Sequence, residues 1–388
     1  MSVGVSSFIG SRLTQARKAR GLMSISLAEL VNVSQPTISL YEKGTQKPKQ
    51  ETLDSLAVAL NVPVSFFLKD YSIDKPERLF YRSMSAATKA ARARAEARYE
   101  WYLEIIDYLL EFFDFPELNI PDLDVPSDFR ECDEKTIECI AEQLRQYWLL
   151  GNGPVPNMVQ TLESNGIVTW RTLMGTKTLD AFSDFREPHS FVVLSSDKEN
   201  YFRSRSDAGH ELGHLILHRN INKKNLKTTS DFKLLEYQAN YFSGAFLLPA
   251  SSYGSNFKSA PSLEVFRSLK PVWNTSIAMQ IMRSKQLGVL DEYQEKRLWI
   301  NLSRRGWKKG EPLDDTTPVE CPNLVQQSIK MLLDEGVKTR EQIEMDLRLN
   351  PTDIEKLGGL PENYISGLES KIEPKLKYTN SKILPFKR

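Results

Sequence analysis

Between Phe8 and Leu68 the apolar residues recur at helical spacing. Ile9, Leu13 and Ala16 mark one face of a first helix, which Gly21 ends. Ser26-Leu27-Ala28-Glu29 reads as a capping box opening a second short helix. Ser34 caps a third that runs to Lys43, with Gly44 as its stop signal. Leu53, Leu56, Ala57 and Leu60 give a fourth helix, and residues 63–68 a short fifth. Residues 69–81, with Pro76 and mixed charge, read as a linker. A long helix follows from about Ala86 to Phe113, basic in its first half and acidic and aromatic in its second. A Pro/Asp-rich loop spans 116–128, and from about Asp133 helices mix with β-like runs at 167–173 and 190–195. After Ser255 the pattern is helical again.

At 388 residues and 40% hydrophobic, the chain has material for two or three domains. Its net charge of +1 says little about partners. The distribution says more: residues 1–98 hold 15 Lys/Arg against 8 Asp/Glu, and residues 99–142 hold 2 against 14. The first block suits a polyanion and the second does not. Three scattered cysteines (Cys132, Cys139, Cys321) make no disulfide framework and point to a reducing compartment. No apolar run reaches the ~18 residues needed to span a bilayer, and the first eight residues are no signal peptide. The expectation is a cytoplasmic protein with no membrane partner.

A short helix, a tight turn and a helix with polar residues at its start is the helix-turn-helix arrangement, whose second helix enters the major groove. The residues at that start are Ser34, Gln35, Thr37 and Ser39. Gln35 can pair with an adenine edge, Thr37 and Ser39 can donate or accept, and Lys43 and Lys47 suit phosphates. Ile38 and Tyr41 fall on the inward face. Ser34-Gln35-Pro36-Thr37-Ile38-Ser39 followed by Glu42-Lys43-Gly44 resembles the Xre/Cro-type repressors over about 60 residues. That resemblance implies binding to a double-stranded DNA operator as a homodimer.

The strongest chemical signal is His210-Glu211-Leu212-Gly213-His214. With only four histidines in the chain, shuffling yields roughly 0.005 such matches. On a helix, residues i and i+4 share a face, so both imidazoles can meet one zinc while Glu211 sits beside its open position. Arg203–Asp207 offers the helix start. Glu236, 22 residues after His214, can supply the third ligand, and Asn240 one turn later can hydrogen-bond a ligating histidine. Between His214 and Glu236 lies a basic loop (Arg219, Lys223, Lys224, Lys227), which reads first as a plain solvated loop and otherwise as a receiver of an anionic trigger such as single-stranded nucleic acid.

The run from His210 to His218, then Glu236-x-x-Ala239-Asn240-x-Phe242 and Leu247-Leu248-Pro249, resembles the ImmA/IrrE metallopeptidases. Upstream, Leu144–Trp148 and Leu162-Glu163-x-x-Gly166-Ile167 extend the likeness to about 120 residues. The resemblance implies a zincin-like fold with one zinc per chain, held by His210, His214 and Glu236, and Glu211 as general base. It implies a protein substrate too, since several members cut Xre-type repressors after stress, phage or mobile-element signals. Candidates for steadying the oxyanion or donating a proton are His189, Tyr237 and Tyr241. His218 is expected to cap the motif helix or pack beneath the site. A thiolate from Cys132 or Cys139 on the zinc would displace a catalytic water.

The expected architecture is multidomain. An all-α helix-turn-helix domain (1–70) precedes a linker and long helix (71–131), an α+β zincin-like peptidase domain (132–255) and a helical C-terminal region (256–388). The leading functional expectation is a DNA-binding regulator with a zinc endopeptidase (HExxH type) that cuts itself or a partner repressor. The alternative is a transcription factor whose peptidase-like domain senses a ligand and cuts nothing.

Overall fold

A computed structural model of the chain describes residues 4–70, 88–176, 179–186, 188–221, 226 and 228–367. Most of the expected linker, the lysines Lys223, Lys224 and Lys227, and the basic tail lie outside these residues.

Helices α1 (Gly10–Ala19), α2 (Ser24–Leu30), α3 (Gln35–Glu42) and α4 (Gln50–Leu60) form an N-terminal bundle closed by a 3-10 turn at Val64–Leu68. Helix α2 begins two residues before the expected capping box. Met23 has extended backbone and no side-chain cap, and its carbonyl already accepts Leu27 N–H at 3.0 Å. Ser26 therefore sits inside the first turn and caps nothing. Helix α3 starts as expected, with the Ser34 hydroxyl accepting Thr37 N–H at 3.3 Å and Pro36 in the first turn, where its missing donor costs nothing. Gly44, at φ +70°, ends it. Ile38 and Tyr41 are both buried.

Helix α5 (Lys89–Leu110) is buried on several faces, through Tyr99, Trp101, Tyr102, Ile105, Ile106 and Leu109. An element apolar all round belongs in the middle of a core. Here it packs on the N-terminal bundle, on one face of a sheet, and on the last three helices. The sheet has three strands among the described residues: β1 (Ile167–Thr172), β2 (Ala181–Arg186) and β3 (His189–Ser195). Its order is β1-β3-β2, with β1 parallel and β2 antiparallel to β3. Alternate residues serve different cores. Val168, Trp170, Phe182, Phe191 and Val193 face α5, whereas Ile167, Ala181, Val192 and Leu194 face a second core. That second core includes α6 (Glu134–Tyr147), α7 (Met158–Ser164), α8 (Tyr201–Leu217) and α9 (Thr229–Leu247). The observed α8 starts before Arg203, because the Asn200 side chain caps it by accepting Arg203 N–H at 2.9 Å.

The C-terminal region splits in two. Helices α10 (Leu263–Trp273), α11 (Ile277–Gln286) and α12 (Glu292–Arg304) share a small core of their own beside α9. A strap then crosses back, tied by buried charges: Lys270 lies 2.8 Å from Glu311 and 2.6 Å from Asp314, and Arg205 pairs with Glu320. Glu320 also accepts the N–H groups of Met158 and Val159, which open α7. Helices α13 (Leu324–Asp334), α14 (Arg340–Leu347) and α15 (Pro351–Gly358) return to α5 and reach the N-terminal bundle, where Arg20 pairs with Asp353 at 2.7 Å. No described helix is long and apolar enough to cross a membrane.

Candidate metal centre

Helix α8 carries His210 and His214 one turn apart, with their Nε2 atoms 3.0 Å from each other. Glu236 comes from α9, its carboxylate 3.6 Å from His210 Nε2 and 3.5 Å from His214 Nε2. Two glycines let these helices approach. A Cβ on Gly213 would lie 3.0 Å from the Ala239 carbonyl oxygen, and one on Gly209 would lie 2.7 Å from Ser243 Oγ. The three ligand-type atoms all fall within 4.8 Å of one another. Donors about 2.0–2.1 Å from a tetrahedral zinc stand about 3.3 Å apart, so these side chains fit that ion with small adjustments.

The neighbours hold the rings in place. Asn240 donates its Nδ2 to the Glu236 carbonyl at 2.8 Å, which leaves its Oδ1 facing His210 Nδ1 at 3.1 Å. His214 Nδ1 lies 2.9 Å from His218 Nδ1. His218 is the C-cap of α8 and fully buried. Burial holds His214 down to about 3 and His218 well below its usual range, so both rings are neutral at physiological pH.

Glu211 is 2% exposed yet borders the cleft. Burial pushes its carboxyl well above the usual range, and Glu236 and Asp207 add to this; a hydrogen bond from Ser183 Oγ at 2.7 Å opposes them. Ser183 sits on β2, a strand that the chain's periodicity does not show. In Ala181–Arg186 both faces carry apolar and polar residues, so no alternation marks the element.

His189, Tyr237 and Tyr241 do not line the cleft. His189 pairs with Arg186, three residues along β2 from Ser183 and about 10 Å away at strand rise, and packs on Phe115 at 6.3 Å. Tyr237 follows Glu236 by one residue and so points about 100° away, giving its hydroxyl proton to Glu134 on α6. Tyr241 is buried near Glu138 and Arg283, and burial pushes its phenol up to about 12. Neither Cys132 nor Cys139 reaches the cleft, and burial pushes the Cys132 thiol up to about 11.

The cleft itself encloses about 560 Å³, and its far wall comes from the C-terminal region. Met279 and Met282 of α11, Trp299 of α12, and Trp307 and Lys308 beyond it line the cleft together with His210. Only the fold brings them there.

On the N-terminal bundle, Ser34, Gln35, Lys43 and Lys47 are exposed, and Thr37 and Ser39 are half-buried. Gln35 Nε2 rests on Ser24 Oγ at 3.2 Å, Thr37 and Ser34 hydroxyls share a 2.8 Å contact, and Lys47 reaches the Ser6 carbonyl.

Residues 13–67 match a family described as Helix-turn-helix. An uncharacterised transcriptional regulator encoded in the ATPase CF(0) region of Rhodospirillum rubrum is 33% identical over 92 residues, 23% of this chain and 85% of that protein. The chain belongs to the helix-turn-helix transcriptional regulators. The regulator also carries an IrrE N-terminal-like domain of the M78 peptidase group at residues 162–275, which contains the three clustered side chains. An uncharacterised HTH-type regulator of Sinorhizobium medicae (strain WSM419) is 37% identical over 62 residues, 16% of this chain and 45% of its own. The immunity repressor protein of Bacillus phage phi105 is 31% identical over 84 residues, 22% of this chain and 58% of its own. The regulator thus spans about half the length of the first curated relatives that it matches.

Proposed function

We propose that this regulator binds operator DNA through α3 and cleaves a protein, itself or a partner repressor, at a zinc site on α8 and α9. One observation carries the reading: two imidazoles and a carboxylate converge beside a buried glutamate at the edge of an open cleft. His210, His214 and Glu236 would hold the ion. Bound zinc supplies a Lewis acid that polarises a peptide carbonyl and makes water more acidic. Glu211 then takes the proton of the attacking water and passes it to the leaving amine. Ser183 keeps the carboxylate in one orientation for that transfer. The cleft is open enough for an extended segment of polypeptide, and the C-terminal region lines it with both apolar and charged side chains, among them Met279, Trp299, Lys308 and Glu311. A purely sensory site needs no general base, which favours the enzyme over a ligand sensor. We further take the working form to be a cytoplasmic homodimer on paired half-sites, responding to a stress, phage or mobile-element signal.

Purified protein should contain about one zinc per chain, and none after His214→Ala. Incubated with candidate repressors and the inducing signal, wild type should cleave and Glu211→Gln should not, although it still binds zinc. Equal cleavage by Glu211→Gln would remove the assigned base, and full zinc in His214→Ala would remove the assigned site.

A further inference from the structure

Helix α9 carries a buried amide, Gln238, in contact with His218. Its Nε2 donates to two backbone carbonyls, those of Phe129 at 2.6 Å and Cys132 at 2.8 Å. These contacts decide which end of the amide is which, because the reverse placement would set three carbonyl-type oxygens against one another. Gln238 Oε1 therefore faces His218 Nε2 at 3.1 Å, and an amide oxygen only accepts. His218 must carry its proton on Nε2, which leaves a lone pair on Nδ1. That atom lies 2.9 Å from His214 Nδ1, a contact away from the metal position where the ligand lone pairs converge, so here one of the two facing ring nitrogens donates. His214 is the donor. Its Nδ1 bears the proton, and its Nε2 is left bare toward His210 and Glu236. His214, His218 and Gln238 are each 3% exposed or less, so solvent does not compete for these atoms.

We infer that Gln238 and His218 form a buried relay that sets the tautomer of His214 and presents its Nε2 lone pair to the metal position. Gln238 is thus a positioning residue. The relay is anchored on the turn at Phe129–Glu131, which Arg130 ties to α9 through Asp231 at 2.8 Å. The role toward a metal rests on the zinc reading above, whereas the proton arrangement belongs to the chain alone. Partners on the far ring nitrogen commonly hold a ligating imidazole in this way. Here the partner is a second imidazole, and an amide on the next helix determines its direction.

The test uses the full-length, zinc-free protein labelled with ¹⁵N in its histidines, read by long-range ¹H–¹⁵N NMR at neutral pH. His214 should show its proton on Nδ1 and His218 on Nε2. A His214 protonated on Nε2, or averaging between tautomers, overturns the relay, and this measurement needs no variant to fold. Gln238→Met keeps the length and removes both ends of the amide. It should release the fixed tautomers and weaken zinc binding, measured by chelator competition, about 10–100-fold. Unchanged tautomers and unchanged zinc affinity in that variant would also overturn it. Wild type with the expected tautomers but no affinity for zinc would support the relay and defeat the metal reading, so the two failures are distinguishable.

Discussion

Gly213 sits between the two histidines and faces the backbone of α9, where a Cβ would meet the Ala239 carbonyl oxygen at 3.0 Å, tighter than ordinary contact. The distance from α8 to α9 determines how far Glu236 stands from the imidazoles, so this glycine governs the geometry of the cluster. Gly213→Val should cost about 1–3 kcal/mol in chemical unfolding, and more zinc should be lost than in Gly153→Ala, whose position is open. Retention of wild-type stability and zinc would show that the helices have slack. Ser183 and Gln238 act at the same scale, each through one hydrogen bond to a functional side chain. Neither was legible in the sequence. A serine in an unrecognised strand and a glutamine within a helix carry no spacing signal, since their partners lie 28 and 20 residues away.

Helix α3 can be read almost entirely from its own residues, because its cap, its stop and its buried pair are all local. The prediction here concerns its exposed side. Gln35→Ala should weaken operator binding by roughly 1–3 kcal/mol and relax preference at one base. Lys43→Ala should instead weaken all sequences and lower the salt dependence. Titrations against operator and scrambled DNA at several salt concentrations separate the two effects, and no change in either variant would move the DNA contact elsewhere. Helix α5 is the opposite case. Its acidic, aromatic end allows a partner-binding helix or, more commonly, an amphipathic core helix, and the sequence does not show that it lies between three other packing units.

Across the whole molecule, buried charges join segments distant in sequence. Arg12 of α1 pairs with Glu104 of α5, with both side chains 2% exposed or less. Arg12 also donates to the Phe66 carbonyl at 3.2 Å and stacks on the Phe66 ring at 3.8 Å, fastening the DNA-binding bundle to α5. Removing one partner leaves the other charge buried and alone. Glu104→Ala should therefore cost about 3–5 kcal/mol in urea unfolding, with the loss falling first on the N-terminal bundle. A loss below about 1 kcal/mol would mean that water reaches Arg12 and that the bundle is loosely held. Burial already raises the carboxyl of Glu104 despite Arg12, so this pair fixes how the pieces meet more than it adds stability.

The sequence by itself determined whatever depends on neighbours along one helix. It placed Ser34 as a cap and Gly44 as a stop, and it set the two imidazoles of α8 one turn apart. These follow from the helical repeat and from backbone donors near the ends, which need no partner. Glu236 and Asn240 were legible as a carboxylate and an amide one turn apart on the next helix, and the resemblance to a known pattern singled them out. Only the tertiary structure decided what lies opposite. It placed Ser183 on Glu211, left His189, Tyr237 and Tyr241 outside the cleft lining, and brought Met279, Met282 and Trp299 into the cleft that His210 borders. Packing between elements depends on which faces meet, and a periodic pattern records that a face is apolar without recording what covers it.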